Sequence, residues 1–277
     1  MSEGKIPIRR PEGTNIPPSQ SPQPRYPADI IELPTKGRFY PEGHPLANGE
    51  IEIKQITARE EDILANQDLI RKGKVLDRLL QSVLVNKDID VKDILMPDKN
   101  AIFVAIRRLA YTDKYPVTIT CPSCGEKTKV DIDLGKLKDK DVVVESFPRG
   151  KNEFSFTLPK SQIVITYKIL NQRDDDAIEQ ELVGLRKLSG EDSNAVTTRF
   201  KHTITSVNGN SDKEYICKFV DEEFLASDAR AFRDHMRNTI PDIDMRFDFK
   251  CPNGRCELER RIDIPVGASF LWPDLES

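Results

Sequence analysis

Four of the five cysteines in this 277-residue chain fall in two tight clusters, Cys121-Pro-Ser-Cys124-Gly and Cys251-Pro-Asn-Gly-Arg-Cys256. Two thiolates joined by a short turn can occupy two corners of a tetrahedron, and a second such turn completes it. Each cluster lies between runs that alternate apolar and polar residues in the period of a half-buried strand. Pro116–Thr120 and Lys127–Leu134 flank the first, and Met245–Lys250 and Glu257–Ile264 flank the second. The pattern predicts that each pair caps a β-hairpin and that Cys121, Cys124, Cys251 and Cys256 hold one structural Zn2+. The result is a zinc ribbon split by 126 intervening residues. The competing readings are buried thiols and disulfides. Secretion, which would favour disulfides, is not expected, because no apolar segment follows Met1. A catalytic zinc needs an open coordination position, and four thiolates leave none. The second cluster has the longer loop, where Gly254 is expected to supply a positive φ. Cys217, in the strand-like Glu214–Phe219, reads as a core residue.

The chain is long enough for two modest domains, and 38% hydrophobic content supports a real core. No run approaches the roughly 18 apolar residues of a membrane span. Charged residues make up 32% of the chain with a net charge of −4, so both signs are mixed over the surface. That balance argues against a dedicated polyanion binder. Ten of the 19 prolines fall between Pro7 and Pro45. Residues 1–49 therefore read as a Pro-rich extended arm that buries too little apolar surface to order itself. Ile30-Ile-Glu-Leu33 and Arg38-Phe39-Tyr40 are its anchors, either for a partner or as a lead-in to the first strand.

Upstream of each knuckle the sequence matches itself. At an offset of 130, Cys121 meets Cys251, Ile119 meets Phe249, Ile106 meets Met236, Ile102 meets Phe232 and Asp98 meets Asp228. At an offset of 114, Ile51–Asp62 faces Ile165–Asp176. There Thr57 and Asn171 are suitable N-caps, and the carboxylates after them sit where the helix macrodipole favours negative charge. Glu60, three residues after Thr57, completes a capping box, with Asp174 its equivalent. Between these blocks Val75–Leu84 reads as helix, and so do Val196, Phe200, Ile204 and Val207. The offset grows by 16, an insertion placed between Gly184 and Asn210. The expected fold is α+β, with two duplicated strand-helices-hairpin halves joined by the split ribbon. Its segments are the arm (1–49), a first half with the first knuckle (50–135), a linker and hairpin (136–162), and a second half with the second knuckle and an apolar tail (163–277).

No catalytic constellation emerges. His44, His202 and His235 lie in separate segments, and no phosphate loop, nucleophile elbow or H-E-x-x-H helix occurs. Asp174-Asp-Asp176 point in different directions on a helix. Near the knuckles, Lys127, Lys129, Arg255, Arg260 and Arg261 are interleaved with carboxylates, which weakens phosphate binding. A zinc-ribbon nucleic-acid-binding regulator is the alternative to a structural protein, and an enzyme ranks below both.

Leu33-Pro-Thr-Lys-Gly-Arg-Phe-Tyr-Pro41, Ile56–Leu64, Leu69–Leu80, the two knuckles and Ile264–Pro273 together resemble the T4-type bacteriophage baseplate hub protein family of contractile tails. The likeness runs from about residue 31 to 274. It implies a non-enzymatic component of the virion tail baseplate, assembled in the host cytoplasm. Its implied partners are other tail and baseplate proteins, such as hub, tube or tape-measure components, with no small-molecule substrate and no membrane. The terminal Phe270, Leu271 and Trp272 either pack back on the core or anchor a neighbour. With Arg38, Phe39 and Tyr40 they are the candidate partner-docking residues.

Overall fold

The computed structural model describes residues 28–189, 195–264 and 268–271. In the first half, β1 (Asp29–Glu32) pairs antiparallel with β2 (Glu50–Ile53). The chain between them folds inward, burying Leu33, Phe39, Tyr40 and Leu46. Gly37 (φ 68°) and Gly49 (φ 85°) make this possible, since a Cβ on Gly37 would lie 2.5 Å from the amide nitrogen of Gly49. Residues 29–49 are therefore part of the folded body rather than an extended arm, because four large apolar residues lie among the prolines. The Pro-rich stretch 1–27 lies outside the described residues.

Next come α1 (Ala58–Leu64), α2 (Gln67–Arg71), α3 (Val75–Val83) and α4 (Met96–Ala110). They lead into the hairpin of β3 (Lys114–Thr120) and β4 (Lys127–Asp133). The expected capping box opens α1: the Glu60 carboxylate accepts from Thr57 N at 3.0 Å and Thr57 Oγ1 at 2.6 Å. Burial pushes the Glu60 pKa up, but Lys54, Ser82 and Thr57 outweigh it and hold the carboxyl down at about 2.

The second half begins in the expected linker, where β5 (Phe154–Thr157) is the edge strand of a sheet ordered β5-β6-β7. Here β6 is Val164–Tyr167 and β7 is Ile204–Val207, separated by α5 (Gln172–Ser189) and α6 (Ala195–Thr203). Ile204 and Val207 were expected on a helix; instead Val207 stands opposite Ile165 in the sheet. The run Thr203-Ile-Thr-Ser-Val207 is mostly β-branched and ends in a turn with Asn208 at φ 48° and Gly209 at φ 81°, so strand pairing wins over helical spacing. Next are α7 (Lys213–Lys218), a π-helical turn (Phe219–Glu223) and α8 (Ala226–Thr239). Cys217 thus lies on a helix, half-buried, and not in a strand. The N-cap is Asp212, whose side chain accepts from Tyr215 N at 3.3 Å. The hairpin of β8 (Arg246–Lys250) and β9 (Glu259–Asp263) follows, then the short α9 (Ala268–Leu271).

The two series run in the same order. α1 and α5 start 114 positions apart, the nine-residue α3 and α6 start 120 apart, and α4 and α8 start 130 apart. Matched contacts accompany the matched positions. Lys54 Nζ meets the Glu60 carboxylate at 2.7 Å, as Lys168 Nζ meets that of Asp174. Lys54 N donates to Val83 O at 2.8 Å, and Lys168 N to Thr203 O at 3.0 Å.

One hydrophobic core runs through both series, from Leu79 and Ile102 to Tyr167 and Phe232. Backbone pairing also crosses between them, with Met96 N donating to Leu170 O at 2.9 Å and Lys140 N to Asp242 O at 2.8 Å. Among the described residues no helix is long and apolar enough to cross a membrane.

Candidate metal centre

The two hairpins lie side by side at one end of the core. Alternation along β3 and β8 puts Ile119 and Phe249 inward, and these pack with Cys121 and Cys251 into a second, smaller cluster bordered by Val117, Val130, Phe247 and Ile262. The knuckles are thereby held face to face. All four sulfurs lie within 4.8 Å of one another. Two contacts cross between the knuckles: Cys121 Sγ to Cys256 Sγ is 3.9 Å and Cys124 Sγ to Cys251 Sγ is 3.6 Å. A disulfide would bring two sulfurs to about 2.05 Å, so these are free thiols. Four sulfurs each about 2.3 Å from a tetrahedral zinc stand about 3.8 Å apart. The side chains present fit such an ion.

The first turn favours a thiolate at Cys121. Gly125 N donates to Cys121 O at 2.9 Å, with Gly125 at φ 75°. The backbone N–H groups of Cys124 and Ser123 point at Cys121 Sγ and draw its pKa down to about 7. In the second knuckle Cys256 N donates to Asn253 O at 2.8 Å, and Asn253 N–H points at Cys251 Sγ. Burial comes first in pushing the Cys251 thiol up to about 12, and the neighbouring thiols add to it. A divalent cation reverses that logic, because a coordinating thiol is deprotonated outright. Gly254 is not in the left-handed region. The expected positive φ is unnecessary there, since two further residues let the loop turn back with ordinary backbone. Sequence reasoning missed Asn253, which closes the second turn and also places its Nδ2 3.9 Å from Cys124 Sγ.

Five of the six candidate docking residues are described, and they lie elsewhere. Phe39 and Tyr40 are buried, with Phe39 packed on Phe147 and Phe154 at centroid distances of 5.6 and 5.1 Å. Arg38 donates from Nε to Phe147 O and from Nη2 to Glu145 O, so its guanidinium serves its own chain. Phe270 and Leu271 are buried, Phe270 standing edge-on to Tyr115 at 4.9 Å. These apolar side chains have no surface to offer a partner in this fold, because the core takes them. Trp272 lies outside the described residues.

A family model described as T4 bacteriophage base plate protein matches residues 30–272. No curated protein and no solved structure matches the chain.

Proposed function

This chain belongs to the T4 bacteriophage base plate protein family, and we propose from that premise that it is a structural or assembly component of the hub region of a contractile-tail baseplate. It acts by docking to other tail proteins, with one structural zinc held by Cys121, Cys124, Cys251 and Cys256. The family match over most of the chain carries the reading, and the four converging sulfurs support the metal. The four-thiolate set has no place for a substrate, which supports a non-enzymatic role. Assembly in the host cytoplasm, and contact with hub, tube or tape-measure components, follow from the same premise.

The two halves are proposed to be an internal duplication. Matched element order supports this, and so does the matched pairing of Lys54 with Glu60 and Lys168 with Asp174. The metal then clasps one copy to the other.

Metal analysis of the purified protein, combined with mass spectrometry of purified particles and of assembly intermediates, tests the proposal. One zinc per chain and recovery of the protein with tail proteins are expected. A metal-free protein overturns the clasp. Absence from both particles and intermediates overturns the tail role, and tight nucleic-acid binding at physiological salt favours a regulator instead.

A further inference from the structure

At the seam between the two halves, away from the cysteines, the fold leaves a groove of about 600 Å³. Its floor is apolar. Leu170 and Phe200 are buried beneath it, Met236 and Ile240 form one wall, and Val196 stands 56% exposed at the rim. That size is in the range of pockets that take a few side chains.

The rim has a charge opposite to that of the whole molecule. The chain carries a net charge of −4, yet the lining includes Lys140, Lys168, Arg199, Arg233 and Arg237 against one carboxylate, Asp242. Four of these cations have carboxylate neighbours: Lys140 with Asp242 at 3.7 Å, Lys168 with Asp174 at 2.7 Å, Arg199 with Asp175 at 3.2 Å, and Arg237 with Asp234 at 2.9 Å. The Arg199 and Arg237 pairs are solvent-exposed, so exchanging one carboxylate for another costs little. Arg233 has no carboxylate partner among the described residues, and its guanidinium lies 5.9 Å over the Phe200 ring, directly above the floor. An apolar floor under a free guanidinium suits a ligand that is apolar at its centre and anionic at its edges.

We propose that this groove docks a short segment of a partner protein, an apolar anchor flanked by carboxylates. The inference gives the chemistry of a docking partner and so rests on the docking role above. Its test uses purified protein and peptides alone, so its failure and the failure of the tail assignment are read separately.

A displayed library of random twelve-residue peptides, selected against the folded full chain, supplies the probe. The selected sequences are expected to carry two or more Asp or Glu beside a Leu, Ile, Phe or Trp. Their synthetic forms are expected to weaken at least about tenfold against the double variant Arg199→Glu/Arg233→Glu. Binding to Lys127→Glu/Lys129→Glu, which reverses charge on the first hairpin, is expected to stay unchanged. Both positions in the groove variant are exposed, and matching urea midpoints verify that it folds. Selection of nothing, selection without acidic bias, or equal binding to the groove variant overturns the proposal. So does an oligothymidylate that binds the groove more tightly than the peptides and is lost on the same reversal, which assigns the groove to nucleic acid.

Discussion

Asp98 on α4 and Asp228 on α8, 130 positions apart, are both fully buried and both tie a hairpin turn to the start of a helix. Asp98 accepts from Thr35 N at 3.1 Å, Thr35 Oγ1 at 2.7 Å and Tyr40 Oη at 2.7 Å. Asp228 accepts from Lys160 N at 2.8 Å and Ser161 N at 3.0 Å. The turn after β1 and the turn after β5 are thus fastened in the same way. The chemistry differs: for Asp98 burial dominates and the pKa rises to about 6, whereas at Asp228 burial is outweighed by the two backbone N–H groups and the pKa falls.

Removing either carboxylate strands donors in the core. Asp98→Ala leaves the Thr35 and Tyr40 donors unpaired, a loss of about 3 kcal/mol or more. The urea midpoint should fall accordingly, and that of Asp228→Ala should fall as well. An unchanged midpoint in both variants would show that the turns are held by something else.

The raised carboxyls set a pH dependence. Asp98 and Asp242 both sit at about 6 in the fold, in each case chiefly through burial, against about 3.9 in an unfolded chain. The folded state therefore binds the proton more tightly between about pH 4 and pH 6. Stability gained from that proton is complete below about pH 4 and is lost as pH rises through 6. Glu60 has the opposite sign: its contribution is present above about 4.5 and lost as pH falls toward 2. Asp242→Asn removes one of the raised carboxyls, so the stability difference between it and the parent should change across pH 4 to 6 and be flat from 7 to 8. A constant difference across that range rules out Asp242 as a contributor.

Loss of the proposed zinc should be local in effect. Because one core spans both halves, chelation or Cys121→Ser is expected to release the metal and expose the amides of β3, β4, β8 and β9 to hydrogen exchange. The helical circular dichroism should largely persist. Structural zinc contributes roughly 10 kcal/mol to domains that fold only with metal; here a loss of several kcal/mol in the hairpin region is expected. Full unfolding on chelation would mean that the shared core is too weak to stand alone.

Phe270 belongs to the core, so Phe270→Ala should cost about 3–4 kcal/mol, seen as a lowered melting temperature. A chain cut before Ala268 should lose stability for the same reason, since it no longer fills the space beside Tyr115. A truncated chain as stable as the parent would restore the tail as a free docking element.

The local signals were legible in the sequence where chemistry is short-range. The cysteine spacing, the alternating runs beside it, and the Thr57 to Glu60 capping box each lie within a few residues, and each forms as expected. What failed needed long-range information. Ile204 and Val207 join a sheet because Tyr167 and Ile165 lie opposite them, from a strand separated by two helices. Phe39 and Tyr40 are interior because Phe147 and Asp98 meet them across more than 50 positions. The groove cations were invisible for the same reason, being gathered from α6, α8, the end of β6 and the linker that carries Lys140.

The pairing of Cys121 with Cys256 and Cys124 with Cys251 across the two knuckles also sets a schedule. Translation delivers the first two ligands long before the last two; at ~5–20 residues per second the wait is on the order of ten seconds. During that interval the first hairpin has two thiols and an unfilled flank, and any metal there is half-held. The proposed clasp is thus closed from its late-emerging side, and a nascent chain stalled before Cys251 is one whose latch has no second half.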